Sequence, residues 1–168
     1  MTAHDPLLLD RQLCFAVYAA GNAFNAAYKP MLDQLGLTYP QYLVLLVLWE
    51  RDDVTVNEIC TRLHLDSGTV SPMLKRLEAA GHLRRRRAPP DERVVRVELT
   101  DQGRSLREKA GVGREAVVCA LGGSEEPIQA LRQELHRIIP LLRNVPAAMS
   151  QSVAASAPKR QSRVEDAA

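Results

Sequence analysis

The sequence predicts a mainly helical fold with one small β-hairpin. Leucine and alanine are frequent in long stretches of the 168-residue chain, and aromatic residues make up only 4% of it. Within these stretches the apolar side chains recur every three or four residues, which is the spacing of one face of an α-helix. Two short extended runs with a proline-containing turn between them interrupt this pattern once. Because 46% of the residues are hydrophobic, the chain can fill a core, and full disorder is excluded.

The first helix is predicted in the opening part of the chain. Asp5 is a candidate N-cap, and Pro6 suits the first helical turn. We expect this helix to run to about Leu35, with a kink or break at Pro30. Apolar residues at helical spacing mark one of its faces. They are Leu9, Leu13, Ala16, Ala20, Ala23 and Ala27.

A second and a third helix follow after short connections. The second begins near Thr38 and ends at Glu50, and its apolar run has no polar face, so we expect it to be buried. Thr55 and Glu58 form a capping-box pattern, in which a hydroxyl and a carboxylate bind first-turn N–H groups. This pattern predicts a short third helix that ends near Leu63.

A fourth helix and a hairpin complete the central part of the chain. Asp66 or Ser67 caps the helix, which runs to about Ala80. Residues 82–87 and 94–99 are extended runs, and the second alternates apolar and charged side chains, as a half-buried strand does. Two short helices joined by a tight turn and followed by a hairpin are the pattern of a winged helix-turn-helix.

Two further helices are predicted after the hairpin. Thr100 caps a helix that runs to about Leu121, and Ser124 caps a last helix that runs to about Asn144. The segment from Pro146 onward is rich in alanine, serine and proline, so we expect it to be disordered.

The distribution of charge favours DNA as a partner. The net charge of the chain is only +2, but residues 62–107 contain eleven basic and six acidic residues, which gives this segment a charge of +5. A run of arginines is often only a solvated face, so the prediction depends on its coincidence with the helix pair. The fourth-helix residues that suit base edges and phosphates are Ser67, Thr69, Ser71, Lys75 and Arg76. The hairpin residues that suit phosphates or a minor groove are Arg84, Arg85, Arg86 and Arg87.

Other features of the sequence predict a cytoplasmic protein. The longest strongly apolar run, residues 42–49, is far too short to span a bilayer. The N-terminus lacks the basic region that opens a signal peptide. Three cysteines are too few for a disulfide scaffold. We expect no metal ion and no cofactor.

One cysteine is a candidate reactive thiol because of its neighbours in the sequence. Cysteine is usually a small buried hydrophobe, and Cys60 fits that description, since it lies on the inward face of the third helix. A reactive cysteine needs a stabilised thiolate, to which phenolic hydroxyls can donate hydrogen bonds. Three of the four tyrosines, Tyr18, Tyr28 and Tyr39, lie with Cys14 in the first forty residues. From the residues alone, the interpretation of these tyrosines as core residues is the stronger one.

Separate segments of the chain resemble a known family of DNA-binding regulators. Residues 65–81, with the sequence LDSGTVSPMLKRLEAAG, resemble the recognition helix of the MarR family, and residues 91–103 are similar to its wing. Residues 9–18, 28–30 and 35–44 resemble the OhrR branch, whose members are repressors that sense organic hydroperoxides. The resemblance implies a homodimer in which the first and the last two helices of each subunit intertwine. It also implies that the two winged lobes bind a pseudo-palindromic DNA operator.

The resemblance implies roles for the thiols and phenols. Cys14 occupies the position of the peroxidatic cysteine, and Tyr28 and Tyr39 match the tyrosines that hydrogen-bond its thiolate from the partner subunit. Tyr18 matches a further tyrosine that lines the pocket. Cys119 resembles the resolving cysteine of two-cysteine OhrR proteins, which forms a disulfide with the reactive cysteine of the other subunit. In a single-cysteine type, by contrast, Cys119 would be a core residue and a small thiol would cap Cys14.

The resemblance further implies the organisation of the chain. In the wing, Asp91 is expected to orient Arg93. The resemblance implies three parts, which are a dimerisation helix with the sensor cysteine, a winged DNA-binding lobe and two C-terminal dimerisation helices. The disordered tail that follows lies outside the resemblance and is expected from its composition. In that order the three parts and the tail comprise residues 1–37, 38–100, 101–145 and 146–168.

The sequence therefore predicts a repressor that organic hydroperoxide releases from its operator by oxidising Cys14, with a disulfide to Cys119 of the partner subunit. Two alternatives stay open. A regulator with the same fold can respond to a phenolic or other apolar ligand, and such a regulator does not need Cys14 and its tyrosines. A thiol peroxidase shares the first chemical step, but a basic wing has no use in such an enzyme.

Overall fold

A computed structural model of the chain describes residue 5, residues 7–88 and residues 91–156, with only the backbone for residues 88, 91, 92, 144 and 146–156. A short 3-10 helix, Leu9–Arg11, precedes the other elements. These are α1 (Leu13–Leu35), α2 (Tyr39–Glu50), β1 (Val54–Thr55), α3 (Val56–Leu63), α4 (Ser67–Ala79), β2 (Leu83–Ala88), β3 (Asp91–Leu99), α5 (Asp101–Ala120) and α6 (Glu125–Ser156). They form two compact units, of which the first ends at Ala120 and the second begins at Leu121. The predicted mainly helical class with a small β-hairpin is confirmed.

The three strands form one antiparallel sheet in the order β1-β3-β2. β2 and β3 make the predicted hairpin, in which Leu83 lies opposite Leu99 and Arg86 lies opposite Arg96. β1 adds a third strand, where Thr55 also pairs with Arg96. β1 has no signal in the sequence, because two residues are too few to show the alternation of a strand.

The core of the first unit lies between α2, α3, α4 and the inner face of the sheet. α2 is buried over most of its surface, as its apolar run predicts. The largest fully buried side chains are Val44, Leu45, Leu48, Ile59, Val70, Leu74, Leu77, Leu83 and Val97. Full burial of such a side chain stabilises the fold by about 1.5–3 kcal/mol. The packing of these helices therefore fixes the direction in which α4 lies on the lobe.

Side-chain caps begin the helices of this lobe where the sequence predicts. Thr38 opens a capping box at α2, and Thr55 and Glu58 form another at α3. At the start of α5 the N–H of Gly103 donates to the hydroxyl of Thr100 at 3.1 Å. These caps satisfy N–H groups that have no partner within their own helix, and they set the helix boundaries.

α1 differs from the prediction at its start and near its end. The helix begins at Leu13. The Asp5 carboxylate accepts a backbone N–H two residues further on at 2.9 Å, in a local turn instead of a helix cap; Pro6 lies outside the described residues. Pro30 does not break the helix, which continues to Leu35. Because Pro30 is exposed, the carbonyl that loses its N–H partner there can bind water instead.

α6 is longer than predicted. It continues to Ser156, whereas the sequence predicts that the helix ends at about Asn144 and that disorder begins at Pro146. Although Pro146 removes one backbone hydrogen bond, the alanine, methionine and glutamine residues that follow it favour a helix. The expected disorder is therefore wrong for residues 146–156, and residues 157–168 lie outside the described part of the chain.

The turn after α4 packs tightly against the start of α5. The carbonyl of His82 accepts the N–H of Thr100 at 3.1 Å, and Trp49 donates its indole N–H to the carbonyl of Gly103 at 2.9 Å. A Cβ atom at Gly103 would lie 1.9 Å from the His82 carbonyl oxygen. The close approach of two backbones therefore requires glycine at this position.

His82 makes the stability of this lobe dependent on pH. Its side chain is buried, and Nδ1 has no hydrogen-bond partner among the described residues. Burial lowers the pKa of His82 below its ordinary value of 6.5. The unfolded chain therefore binds a proton at a higher pH than the folded chain does. As a result, the free energy of unfolding falls as the pH drops below about 6.5.

We expect the His82→Leu variant to lose less free energy of unfolding than the wild type between about pH 7.5 and about pH 5.5, because it has no histidine here that gains a proton on unfolding. Denaturant unfolding at both pH values, followed by Trp49 fluorescence, measures the difference. The control is His136→Gln, which removes an exposed histidine and should behave as the wild type. Equal pH dependence in His82→Leu and the wild type would contradict this account.

Candidate nucleic-acid interface and thiol site

α4 presents the predicted recognition surface. Val70, Leu74 and Leu77 face the core, so the opposite side of the helix is directed to solvent. Of the predicted contact residues, Ser67, Thr69, Lys75 and Arg76 are exposed and Ser71 is half-buried. Small polar side chains in the first turns and two cations further along suit an approach to base edges and phosphates.

The Thr69 side chain is hydrogen-bonded to the N-cap residue of α4, Asp66. Asp66 accepts the N–H of Thr69 at 2.9 Å and the hydroxyl of Thr69 at 2.8 Å. These hydrogen bonds hold the pKa of Asp66 below its ordinary value. Because its proton is donated to the cap, the Thr69 hydroxyl offers a DNA base only acceptor lone pairs and a neighbouring methyl group.

Strand alternation divides the arginine run of the wing between two faces. Arg85 and Arg87 share the face of the buried Val97, and Arg84 and Arg86 lie on the opposite face. Arg84 and Arg87 are exposed, as is Arg93 on β3. The side chain of Asp91 lies outside the described residues, so its expected role in orienting Arg93 stays a prediction.

Arg85 is held by α4. Its Nε donates to a carboxylate oxygen of Glu78 at 2.8 Å, and its backbone N–H donates to the other oxygen at 2.8 Å. The hydrogen bond from Arg85 holds the pKa of Glu78 below its ordinary value. This pairing fixes the hairpin to α4 and engages the Arg85 side chain within the lobe. The contact of Arg85 with phosphates stays a prediction.

Arg86 is also paired, with two acids that local sequence patterns do not identify as its partners. It donates to both carboxylate oxygens of Asp53 at 3.0 Å and lies 3.7 Å from Glu98. Asp53 also accepts Nε of Arg96 at 2.9 Å, and the neighbouring Asp52 accepts a backbone N–H at the end of β3 at 2.8 Å. Asp52 and Asp53 are adjacent acids in a turn, and nothing in the sequence around them indicates that their partners lie 33 or more residues later.

The tyrosines form a cluster where α1 meets α2. The ring centroids of Tyr28 and Tyr39 are 5.6 Å apart, and Tyr42 lies 5.6 Å from Tyr28 and 6.1 Å from Tyr39. Burial raises the pKa of all three phenols, that of Tyr42 to about 12, whereas the charge of Arg114 opposes the shift at Tyr28 and Tyr42. At neutral pH the three hydroxyls are therefore protonated and can donate hydrogen bonds.

Two residues at this cluster are not among the predicted site residues. The sequence places Tyr42 in the buried apolar run of α2, although it follows Tyr39 at the i, i+3 spacing that places two side chains on one helix face. Arg114 gave no signal, because its position beside the cluster depends on the packing of α5 against α1. The Cα of the adjacent Gly113 lies against Met31 of α1.

The three cysteines lie in different environments. Cys14 and Cys119 are exposed, and Cys60 is buried in α3, as predicted. Burial raises the pKa of the Cys60 thiol, so it forms a thiolate less readily. Tyr18 is exposed and lies one helical turn after Cys14. Tyr28, by contrast, lies about 21 Å from Cys14 along α1. The tyrosine cluster of a chain is therefore out of reach of that chain's own Cys14.

Cys14 cannot form a disulfide with Cys119 of its own chain in this structure. A Cβ at Gly113 would lie 2.7 Å from Cγ of Met31, so the Cα atoms of these two residues are at most about 7 Å apart. Along α1, Cys14 lies about 26 Å from Met31, and along α5, Cys119 lies about 9 to 10 Å from Gly113. The Cα atoms of the two cysteines are therefore at least about 9 Å apart, whereas a disulfide needs about 4.4–6.8 Å.

Comparison with known families places the chain. Residues 26–110 match the family described as transcriptional regulator SarA/Rot, and these residues include the tyrosine cluster, the helix-turn-helix and the wing. The chain belongs to this family of winged-helix regulators. The match confirms that the chain is a transcriptional regulator. The predicted resemblance to MarR and OhrR proteins is also confirmed, by the relatives and solved structures described next.

Two relatives show how far the similarity extends. The organic hydroperoxide resistance transcriptional regulator of Bacillus subtilis is 42% identical over 138 residues, which are 82% of this chain and 94% of that protein. The regulator TtmR of Methylorubrum extorquens is 63% identical over 105 residues, which are 62% of this chain. The SarA/Rot-family chain spans only about half (54%) of the length of TtmR.

Solved structures have the same architecture. Reduced AbfR bound to DNA is 35% identical, has a TM-score of 0.70 and covers 84% of this chain and 99% of its own. AbfR, a protein of Staphylococcus epidermidis, has also been solved with a disulfide formed; that structure is 40% identical, has a TM-score of 0.58 and covers 78% of this chain and 92% of its own.

Other kinds of site are not found in the described part of the SarA/Rot-family chain. Within residues 7–88 and 91–156, no group of three or more His, Cys, Asp or Glu side chains is placed to hold a metal ion. In the same residues, no helix is both long enough and apolar enough to cross a membrane.

Proposed function

We propose that this regulator is a repressor that leaves its DNA operator when an organic hydroperoxide oxidises Cys14. The observation that carries the proposal is that Cys14 and Cys119 are exposed while Cys60 is buried, so two thiols are accessible to an oxidant and to another subunit. The 42% identity to the organic hydroperoxide resistance regulator of Bacillus subtilis and the disulfide form of AbfR support it.

The proposed chemistry has two steps. The Cys14 thiolate attacks the O–O bond of the hydroperoxide, so that the sulfur gains one oxygen as a sulfenic acid and the rest of the peroxide leaves as an alcohol. The thiol of Cys119 in the partner subunit then attacks this sulfur, and the S–S bond forms with release of water. The phenols of Tyr28 and Tyr39 stabilise the thiolate of the other subunit's Cys14, and Tyr18 lines the same pocket.

A homodimer is required for these steps. The two cysteines of one chain are too far apart to bridge, and the tyrosine cluster is out of reach of its own Cys14. Exposed apolar residues along the first helical segment supply a surface for a second copy. They are Leu9, Leu13, Val17 and Phe24. Residues 1–37 and 101–145 form the proposed dimerisation part, and residues 38–100 form the DNA-binding lobe.

The proposed switch couples the thiols to the DNA-binding lobes. A Cys14–Cys119 bridge pulls α1 of one subunit towards α5 of the other, and α5 begins directly at the end of the wing. The two lobes then change their separation, so both copies of α4 no longer fit successive major grooves. A gel-shift experiment with the operator, with and without an organic hydroperoxide, tests release directly.

We propose that the exposed Arg93 of the wing contacts a DNA phosphate, and the salt dependence of binding tests this contact. Each phosphate contact contributes about −0.9 to the slope of log K against log salt, so Arg93→Ala, which removes one contact per subunit, should flatten the slope of the dimer by about 2. Fluorescence anisotropy with a labelled operator duplex measures the slope. As the control, Lys29→Gln removes the same charge from a surface pair on α1 and should leave the slope unchanged. A slope unaltered by Arg93→Ala would remove Arg93 from the interface.

The role of Cys119 is tested by covalent dimer formation. Oxidised wild-type protein should run as a dimer on a non-reducing gel and return to monomer with reductant. Cys119→Ser should give no covalent dimer but should still form a sulfenic acid at Cys14, which a dimedone-type probe traps. Cys60→Ser, the matched control at the buried cysteine, should still give the dimer. Dimers in Cys119→Ser that disappear in Cys60→Ser would identify Cys60 as the resolving thiol instead.

A further inference from the structure

The wing leaves the lobe as a two-stranded ribbon. In the described sheet, β1 covers β3 only at Val97 and Arg96. Beyond Arg96 towards the tip, β3 pairs with β2 alone, and the register shifts between Arg87 and Ala88. An isolated two-stranded hairpin is marginally stable in water. The direction in which the ribbon projects therefore depends on contacts at its root.

Asp53 lies at this root. Arg86 and Arg96 are directly opposite each other on β2 and β3, and like charges in such a pair repel. The carboxylate of Asp53 accepts hydrogen bonds from both guanidinium groups, at 3.0 Å from Arg86 and 2.9 Å from Arg96. Its backbone carbonyl accepts a further bond from Arg96. One acid therefore joins the turn after α2 to both strands at the last point where the sheet has three strands.

The backbone of Asp53 suits this contact. Its φ is 53°, in the left-handed region that asparagine and aspartate adopt more readily than other side chains apart from glycine. The hydrogen bond from Arg96 holds the pKa of Asp53 below its ordinary value, so the carboxylate is ionised at neutral pH. The adjacent Asp52 binds the end of β3, which fixes the turn itself.

We propose that Asp53 is a positioning residue for DNA binding: by clamping Arg86 and Arg96 it fixes the direction in which the wing carries Arg93 to the DNA. The proposal rests on the wing contact proposed above. Positioning by Asp53 and simple neutralisation of Arg86 predict opposite changes in DNA affinity when the Asp53 carboxylate is removed. If Asp53 only neutralised Arg86, its removal would free a cation for phosphates and strengthen binding; if it positions the wing, its removal weakens binding.

The experiment uses the full-length reduced protein and an operator duplex selected in vitro from random DNA with the wild type. Asp53→Asn keeps the left-handed preference and removes the charge, and Asp33→Asn removes an exposed acid from a surface pair on α1 as the control. We expect Asp53→Asn to weaken operator binding about tenfold, because it loses charge-assisted hydrogen bonds to two arginines. Asp33→Asn should bind as the wild type.

A double-mutant cycle with Arg93→Ala separates positioning from a structural role elsewhere in the lobe. If Asp53 acts through the wing tip, Asp53→Asn with Arg93→Ala should bind no more weakly than Arg93→Ala alone. Amide hydrogen exchange of residues 91–95 in the free protein should be faster in Asp53→Asn, with exchange in the α2 core unchanged.

Three results would overturn the proposal. They are a loss of affinity in the double variant that equals the product of the losses in the two single variants, tighter operator binding by Asp53→Asn, and an unchanged rate of amide hydrogen exchange in residues 91–95 of Asp53→Asn. If Arg93→Ala weakens operator binding and Asp53→Asn leaves it unchanged, the positioning role of Asp53 is overturned but the wing contact of Arg93 is not. Undiminished binding by Arg93→Ala would overturn both this proposal and the proposed wing contact on which it rests.

Discussion

The Cys14→Ser protein is expected to remain on its operator at concentrations of organic hydroperoxide that release the wild type completely. A serine hydroxyl has nearly the size of a thiol, so the fold and the DNA-binding surface are kept. It is not ionised at neutral pH and forms no sulfenic acid, so neither step of the proposed chemistry can occur. Cys14 is exposed, and its replacement leaves no cavity in the core.

A gel shift with increasing hydroperoxide measures this effect, and Cys60→Ser is the control because it removes the buried thiol. The control should be released as the wild type is, although a buried hydroxyl can lower its stability. Release of Cys14→Ser by the oxidant would show that Cys14 is not the sensor. A regulator switched by an apolar ligand would then be the better account.

The largest expected effect on stability comes from Gly103→Ala. The new Cβ would lie 1.9 Å from the backbone carbonyl oxygen of His82, and neither backbone can move without disturbing the cap at Thr100 or the hydrogen bond from Trp49. We expect a loss of about 3 kcal/mol in the free energy of unfolding, the upper range for overpacking. Denaturant unfolding at fixed protein concentration measures it.

The same helix supplies the control for this substitution. A Cβ at Gly111 meets no atom within 4 Å, so Gly111→Ala replaces a poor helix former with a good one and should gain about 0.5–1 kcal/mol. Opposite signs for two Gly→Ala changes in α5 would confirm that the close approach at His82 fixes Gly103. Equal stability of Gly103→Ala and the wild type would contradict the packing described here.

Local signals in the sequence predicted most of the helix boundaries. Thr38, Thr55 and Thr100 each precede a helix and satisfy its first N–H groups, and such a contact depends on three or four neighbouring residues only. The errors occurred where the local rule competes with its surroundings. Pro30 is tolerated in α1 because its side of the helix is exposed, and the alanine-rich stretch after Pro146 continues α6.

The candidate site shows a similar division. The basic character of the wing was visible in the sequence, but the pairing of its charges was not. Arg85 and Arg86 are neighbours in the chain, yet strand alternation sends one to Glu78 on α4 and the other to Asp53 in the turn after α2. Glu78 lies seven residues before Arg85 and Asp53 lies 33 residues before Arg86, and each is on a different element from its arginine. Only the packing of the sheet on the helices therefore identifies which arginines are paired.

The intersubunit disulfide is the central claim, and isotope mixing tests it most directly. Equal amounts of ¹⁵N-labelled and unlabelled protein are unfolded together, refolded to mixed dimers, oxidised with an organic hydroperoxide and digested for mass spectrometry. Bridges between Cys14 and Cys119 of different subunits should give about half of the cross-linked peptides with one labelled and one unlabelled half, because subunits pair at random in a symmetric dimer. Cross-linked peptides that are only fully labelled or only unlabelled would place the bridge within one chain and contradict the account.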